Sequence, residues 1–187
     1  MTTGNNSRTC PVGLAGGLDN SIRRFLQNPE KILKPFISKG MTVLDLGCGP
    51  GFFSLEIANL LQNTGKVIAA DLQEGMLEKV RNKITGTEFE QRIEIHKCGN
   101  SQIGISEQVD FILAFYMVHE VLNQDLLFKE LKSILKPGGR LYIIEPWFHV
   151  TKKAFEVMIG KIGSIGFEVI ESPKVFFSRT VLLKIKS

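Results

Sequence analysis

Residues 43–51 read Val-Leu-Asp-Leu-Gly-Cys-Gly-Pro-Gly, an apolar run carrying one acid, Asp45, that opens into glycines at 47, 49 and 51. The run has the composition of a buried strand, and residues 52–62 that follow have the apolar spacing of a helix. Glycines in a strand-to-helix turn let the backbone bend tightly and approach a ligand with no side chain in the way.

Strand-like runs recur at 41–46, 66–71, 92–97, 109–116 and 140–145. Helical patterns lie between them at 52–62, 74–84 and 123–136, the last stopped by Lys136-Pro137-Gly138-Gly139. The stretch 98–108 is too short and too interrupted by glycine to be read as a helix. Continuous apolar strands alternating with helices predict a parallel sheet covered on both faces. An amphipathic helix follows over 151–165, then GFEVIES and RTVLLKIK, joined by 173–178. Two strands so close must form a hairpin, so one of them runs against the rest. The expected fold is therefore α/β and Rossmann-like: seven strands, mostly parallel, with an antiparallel C-terminal hairpin strand and helices on both faces.

The bulk properties fit such a domain. The chain has 187 residues, 43% hydrophobic and 22% charged, enough for one sizeable core. Twenty-three Lys and Arg against 19 Asp and Glu give a net charge of +4, but the basic residues are interspersed with acids, so a nucleic-acid partner is not expected. The longest apolar run, Phe111 to Val118, is far shorter than the roughly 20 residues that span a bilayer. With a polar N-terminus as well, the expectation is a cytoplasmic protein without a membrane partner. Cys10, Cys48 and Cys98 have no CxxC spacing, which argues against a disulfide framework or zinc knuckle, and no metal is expected.

Asp71 ends the second strand, twenty residues past Gly51, where a carboxylate can accept from both hydroxyls of a ribose. Asp45 bears on which nucleoside. A dinucleotide places its pyrophosphate at the helix N-terminus, and a fixed carboxylate there would repel it. A ligand bearing an ammonium and a sulfonium would be attracted instead. S-adenosylmethionine has both, with adenosine for Asp71 and an amino-acid tail for Asp45. The alternative is that Asp45 caps the turn locally.

VLDLGCGPGFFSLEIA, VIAADLQEGMLEKV, VDFILAFYMVHEVLN and ELKSILKPGGRLYIIEP resemble successive motifs of the class I S-adenosylmethionine-dependent methyltransferases, firmly over about residues 40–146. The similarity is strongest to the branch of the ubiquinone/menaquinone-biosynthesis C-methyltransferases and arsenite methyltransferases. It implies methyl transfer with S-adenosylhomocysteine as product. It also implies that Asp45, Gly47, Cys48, Gly49 and Gly51 line the methionine end, that Asp71 binds the ribose, and that Leu72 and Met76 flank the adenine. Phe115 would lie at the end of strand four by the methyl donor. The family's adenine-binding Asp after strand three is replaced by Lys97-Cys98-Gly99-Asn100; Gly99 backbone or the Asn100 carbonyl would serve in its place.

The motif also narrows the acceptor. After strand four the chain reads Phe115-Tyr116-Met117-Val118, without the prolines of enzymes that methylate base amines. No carboxylate precedes Glu120 to hold magnesium, and His119-Glu120 lacks a second His at helical spacing. The connection Pro146–Val150 leaves no room for a large insertion, so a small-molecule acceptor, or a partner docking over an open site, is expected rather than an enclosed bulky metabolite. Tyr116, His119 and His149 lie past the ends of strands four and five and are the catalytic candidates, either His as a general base. Trp147 and Phe148 are expected at the substrate-pocket wall or against the N-terminus. An arsenite- or thiol-type methyltransferase using Cys10, Cys48 and Cys98 is one alternative. A nicotinamide-dependent oxidoreductase and a non-catalytic nucleoside-binding protein are the others. Oligomeric state is open.

Residues 1–38 are set apart as an N-terminal lid or helical segment, with 39–187 as the methyltransferase domain. Over 19–38 one or two helices are expected, with Ile22, Phe25 and Leu26 on one face and Arg23 and Arg24 off it. With the sheet faces taken by the later helices, that stripe is expected above the donor site.

Overall fold

The computed structural model describes residues 26–186. Helix α1 spans Pro29–Leu33, its N-terminus capped by the Asn28 side chain, which accepts from the Lys31 N–H. Then follow β1 (Thr42–Leu46), α2 (Phe52–Leu61), β2 (Lys66–Asp71), α3 (Glu74–Ile84), β3 (Ile93–Lys97) and β4 (Val109–Phe115). A 3-10 turn over Val118–Glu120 leads to α4 (Gln124–Ile134), β5 (Leu135–Pro146), α5 (Lys152–Ile165), β6 (Phe167–Glu171) and β7 (Ser178–Ile185).

The strands form one seven-stranded sheet in the order β3-β2-β1-β4-β5-β7-β6. β1 to β5 are parallel, and β7 is antiparallel to both β5 and β6. The hairpin strand that runs against the rest is therefore β7, inserted between β5 and β6. Strand order reverses between β1 and β4, so their C-terminal ends diverge there and leave the crevice in which open α/β sheets bind ligands.

Each face of the sheet has its own core. One gathers Ile112, Phe128, Leu131, Ile143 and Ile162 beneath α4 and α5. The other gathers Val43, Ile57, Leu61, Val80, Phe111 and Tyr142 beneath α2 and α3. The expectation that the later helices cover the faces completely does not hold. Leu33, Phe36 and Ile37 are buried in the second core, and Phe36 packs its ring 6.2 Å from Phe111 and 5.2 Å from Tyr142. The part of the N-terminal segment within the described residues thus completes the sheet's cover. Ile22, Phe25 and Cys10 lie outside the described residues.

Two boundaries differ from the sequence reading. α4 stops at Ile134, and β5 begins at Leu135, which pairs with Val109 ahead of a register shift between Val109 and Phe111. The helix stop at 136–139 is thus also a bulged strand start. The β3–β4 connection has no helix; the Glu130 carboxylate accepts from the N–H groups of Ile103 and Gly104 and holds it in place.

Candidate active site

Gly47 and Cys48 both donate their N–H to the Ala70 carbonyl, at 2.8 and 3.0 Å, tying the turn after β1 to the end of β2. Gly47 has φ +70°, and a Cβ built there would lie 2.8 Å from Met117 Cβ. Glycine is required because the extension of β4 passes directly over it. Gly49 has φ +54° and nothing within 4 Å of such a Cβ. The loop is therefore tight on one side and open on the other.

Asp71 is 8% exposed. Its Oδ2 accepts from the Gly49 N–H at 2.9 Å and its Oδ1 from the Gln73 N–H at 2.8 Å. A carboxylate has about four lone-pair sites, so two remain for hydroxyl donors. Asp45 is 2% exposed and turned inward, accepting from the Ser54 hydroxyl at 2.5 Å. It joins the end of β1 to the first turn of α2, a contact the sequence reading did not anticipate.

The remaining candidates on this side are divided. Leu72 is 38% exposed at the loop after β2, whereas Met76 is buried at 2%. Gly99 donates to the Gln102 carbonyl at 3.0 Å, and Asn100 is exposed beside it. Phe115 is buried in an aromatic column, its ring 4.4 Å from Phe53 and 4.2 Å from Tyr116. The open face of Gly49 and the spare acceptors of Asp71 suit an adenosyl amino acid, which needs close backbone approach and a ribose acceptor.

Past β4 the chain turns sharply. Tyr116 has φ +57°, a conformation costly for a bulky side chain. Its hydroxyl accepts from Gln27 Nε2 at 2.5 Å and pairs with Ser178 Oγ at 2.8 Å. Gln27 is 6% exposed and also donates to the Phe176 carbonyl. Tyr116 is thereby aimed at the N-terminal segment and the β6–β7 loop, while His119 turns to the other side.

His119 and His149 come together, their rings stacked with centroids 5.7 Å apart. Beneath them is Glu145, the residue the sequence reading missed. It is wholly buried at the end of β5; its Oε2 lies 2.5 Å from His119 Nδ1 and its Oε1 accepts from the Val118 N–H at 2.9 Å. The hydrogen bond to Glu145 raises the His119 pKa above its usual 6.5, against the opposing effect of burial. A carboxylate at Nδ1 makes that nitrogen the donor, leaving Nε2 as the acceptor of the neutral ring. A cleft of about 510 Å³ opens here, lined by His119, Gln124, Glu145, His149, Lys153, Val157 and Met158 among others. Trp147 and Phe148, expected at the pocket wall or against the N-terminus, do not line this cleft and are exposed at 50% and 61%; residues 1–25 lie outside the described residues. The available signal for Glu145 was an acid closing the apolar run of β5 just before Pro146.

Cys48 and Cys98 are buried free thiols. Burial pushes the Cys98 pKa up to about 12 and that of Cys48 well above its usual value, so both are protonated near neutrality. Among the described residues no group of three or more His, Cys, Asp or Glu is placed to hold a metal ion, and no helix is long and apolar enough to cross a membrane.

The model of a methyltransferase domain family matches residues 37–173, well over half of the chain. The chain belongs to the class I S-adenosylmethionine-dependent methyltransferases. Among relatives of this methyltransferase, the ubiquinone/menaquinone biosynthesis C-methyltransferase UbiE of Escherichia coli (strain K12 / DH10B) is 28% identical over 137 residues. That match covers 69% of this chain and 55% of the relative, so the chain spans about half the length of the curated relatives it matches. A crystal structure of an S-adenosylmethionine-dependent methyltransferase from Aquifex aeolicus superposes with a TM-score of 0.84 at 29% identity, covering 95% of this chain and 100% of that one. A putative S-adenosylmethionine-dependent methyltransferase from Methanococcus maripaludis shares the fold, with a TM-score of 0.78 at 19% identity, covering 100% and 98%.

Proposed function

We propose that this methyltransferase transfers a methyl group from S-adenosylmethionine to a small-molecule acceptor held in the cleft beside His119. The observation that carries the reading is the 2.9 Å hydrogen bond from Gly49 N–H to Asp71, which couples the glycine turn to the ribose-binding carboxylate. In this reading Asp71 receives the ribose hydroxyls. Gly47, Cys48, Gly49 and Gly51 bound the methionine end, with Asp45 buried behind them, where its negative charge attracts the ammonium through the turn rather than by direct contact. Leu72 and Met76 border the adenine, Gly99 and Asn100 meet its edge, and Phe115 backs the donor at the end of β4.

When bound, S-adenosylmethionine supplies a methyl group on a positively charged sulfur, and S-adenosylhomocysteine is the neutral leaving group. His119 takes up the proton. The acceptor's X–H bond breaks, its proton goes to Nε2, and the electron pair left on X forms the new bond to the methyl carbon. Glu145 keeps Nδ1 protonated and stabilises the imidazolium that results. His149 stacks on His119 and fixes the ring plane, while Tyr116 positions the end of β4 through Gln27 and Ser178. Val157 and Met158 give the cleft an apolar wall suited to the body of an organic acceptor. The name of the E. coli relative describes a C-methyltransferase; a base beside the donor site fits an acceptor whose carbon or oxygen is ionised for attack.

The test is a screen of small phenols, enols and carbon acids with labelled methyl donor, run in parallel on the parent protein and His119→Ala. Label transferred by the parent and lost in the variant supports the reading. Label transferred only to macromolecules, or equally by both proteins, contradicts it.

A further inference from the structure

We propose that the C-terminal edge of the sheet is a docking surface for an anionic lipid bilayer. Trp147 is 50% exposed, Phe148 61%, Phe176 51% and Phe177 47%. The four aromatics form one continuous row. Ring centroids lie 4.0 Å apart for Phe176 and Phe177, 6.2 Å for Phe177 and Trp147, and 6.4 Å for Trp147 and Phe148. The row spans two loops held together by the Trp147 N–H, which donates to the Phe177 carbonyl at 3.2 Å. The aromatics are therefore presented by a fixed backbone rather than scattered singly.

Exposed apolar rings gathered in one row mark an interaction surface. The charges around the row favour lipid. Lys31 and Lys174 line a groove with Phe176, and Lys153 lines the cleft beside His149. None of the three has a carboxylate within ion-pair distance among the described residues. Two acids share these surroundings: Glu171 acts electrostatically on Tyr142 of the same groove, and Glu120 on His119 of the cleft, so the three lysines outnumber them. Aromatic rings at headgroup depth with free lysines beside them are the composition of a peripheral membrane contact: the rings enter the interface and the ammonium groups meet anionic headgroups. That no helix among the described residues is long and apolar enough to cross a bilayer says nothing about lying on one. Docked this way, the protein brings the mouth of the His119 cleft against the lipid, since the row continues through Phe148 to His149 at 5.0 Å.

Trp147 is the only tryptophan in the chain, so its fluorescence reports on the patch directly. Vesicles of phosphatidylglycerol and phosphatidylcholine should shift its emission to the blue and carry the protein down on sedimentation; phosphatidylcholine alone should do so weakly. Raising salt from roughly 50 to 500 mM should weaken the anionic binding several-fold, as screening shortens the electrostatic reach. Phe148→Ser with Phe176→Ser should weaken vesicle partition by about tenfold or more. Lys31→Glu with Lys174→Glu should abolish the preference for anionic vesicles. Both variants should keep the parent's affinity for S-adenosylhomocysteine, which establishes that they are folded. No shift with either vesicle, or unchanged partition by the folded variants, would overturn the proposal. So would a lipid-free blue shift that grows with protein concentration alongside dimer in ultracentrifugation, which would assign the row to a second copy of the chain.

Discussion

Glu145 and His119 lie on different elements, 26 residues apart in sequence, and meet at 2.5 Å between Oε2 and Nδ1. A wholly buried carboxylate is costly unless it is paired and hydrogen-bonded, and Glu145 has His119 on one oxygen and the Val118 N–H on the other. The pair therefore fixes both the path of the chain after β4 and the proton position on the ring.

Glu145→Gln keeps the shape of the side chain and removes its charge. The His119 pKa, raised by Glu145, should fall toward 6.5. With the neutral ring as the proposed base, the rise of kcat/KM with pH should move to lower pH in the variant, and its plateau should drop as the base weakens. A pH–rate profile that keeps its midpoint would remove Glu145 from this role.

His119→Ala should lower turnover by about 10²–10⁴-fold, the range for losing a positioned general base. Affinity for S-adenosylhomocysteine should stay within about twofold, because His119 faces the cleft proposed for the acceptor. Single-turnover rates and calorimetry measured on the same preparations separate the two.

The same pair makes stability depend on pH. His119 has a higher pKa folded than unfolded, so it contributes stability that is fully present below pH 6.5 and lost as pH rises through the folded value. Urea unfolding should show a larger deficit of His119→Ala relative to the parent at pH 6 than at pH 9. An equal deficit at both would show that the ring contributes packing alone.

Gly47 and Gly49 should respond differently to alanine. Gly47→Ala adds left-handed strain of about 1–2 kcal/mol and, through a Cβ contact of 2.8 Å with Met117, an overpacking cost of about 1–3 kcal/mol, so it should cost about 2–5 kcal/mol of stability. Gly49→Ala meets open space and should cost only about 1–2 kcal/mol. Its methyl would project where backbone must approach the donor, so its larger effect should be on S-adenosylhomocysteine affinity. Denaturant midpoints and calorimetry distinguish the two outcomes.

The parts of the fold legible in the sequence were those encoded locally. Apolar runs marked β1, β2, β4 and β5, the alternating Ile93 and Ile95 marked β3, the glycines at 47, 49 and 51 marked the turn, and the short link before Ser178 required a hairpin. Asp71 was legible because a carboxylate ending β2 has a fixed relation to the turn after β1. What escaped depends on long-range contacts. Glu145 reads as one more acid until β4 and β5 bring it under His119. Phe36 gains its place only from Phe111 and Tyr142, 75 and 106 residues away. The left-handed backbone of Tyr116 has no composition signal, since it is held by Gln27 from before the sheet and Ser178 from its last strand.

The central claim, that the turn after β1 and the end of β2 form an S-adenosylmethionine site, is tested most directly by calorimetric titration of the parent and Asp71→Ala with S-adenosylhomocysteine and with NAD. The parent should bind S-adenosylhomocysteine and not NAD. Asp71→Ala should weaken that binding by about 1.5–3 kcal/mol, the scale for charge-assisted hydrogen bonds. Heat from NAD in place of S-adenosylhomocysteine, or equal S-adenosylhomocysteine affinity in the folded variant, would contradict the account.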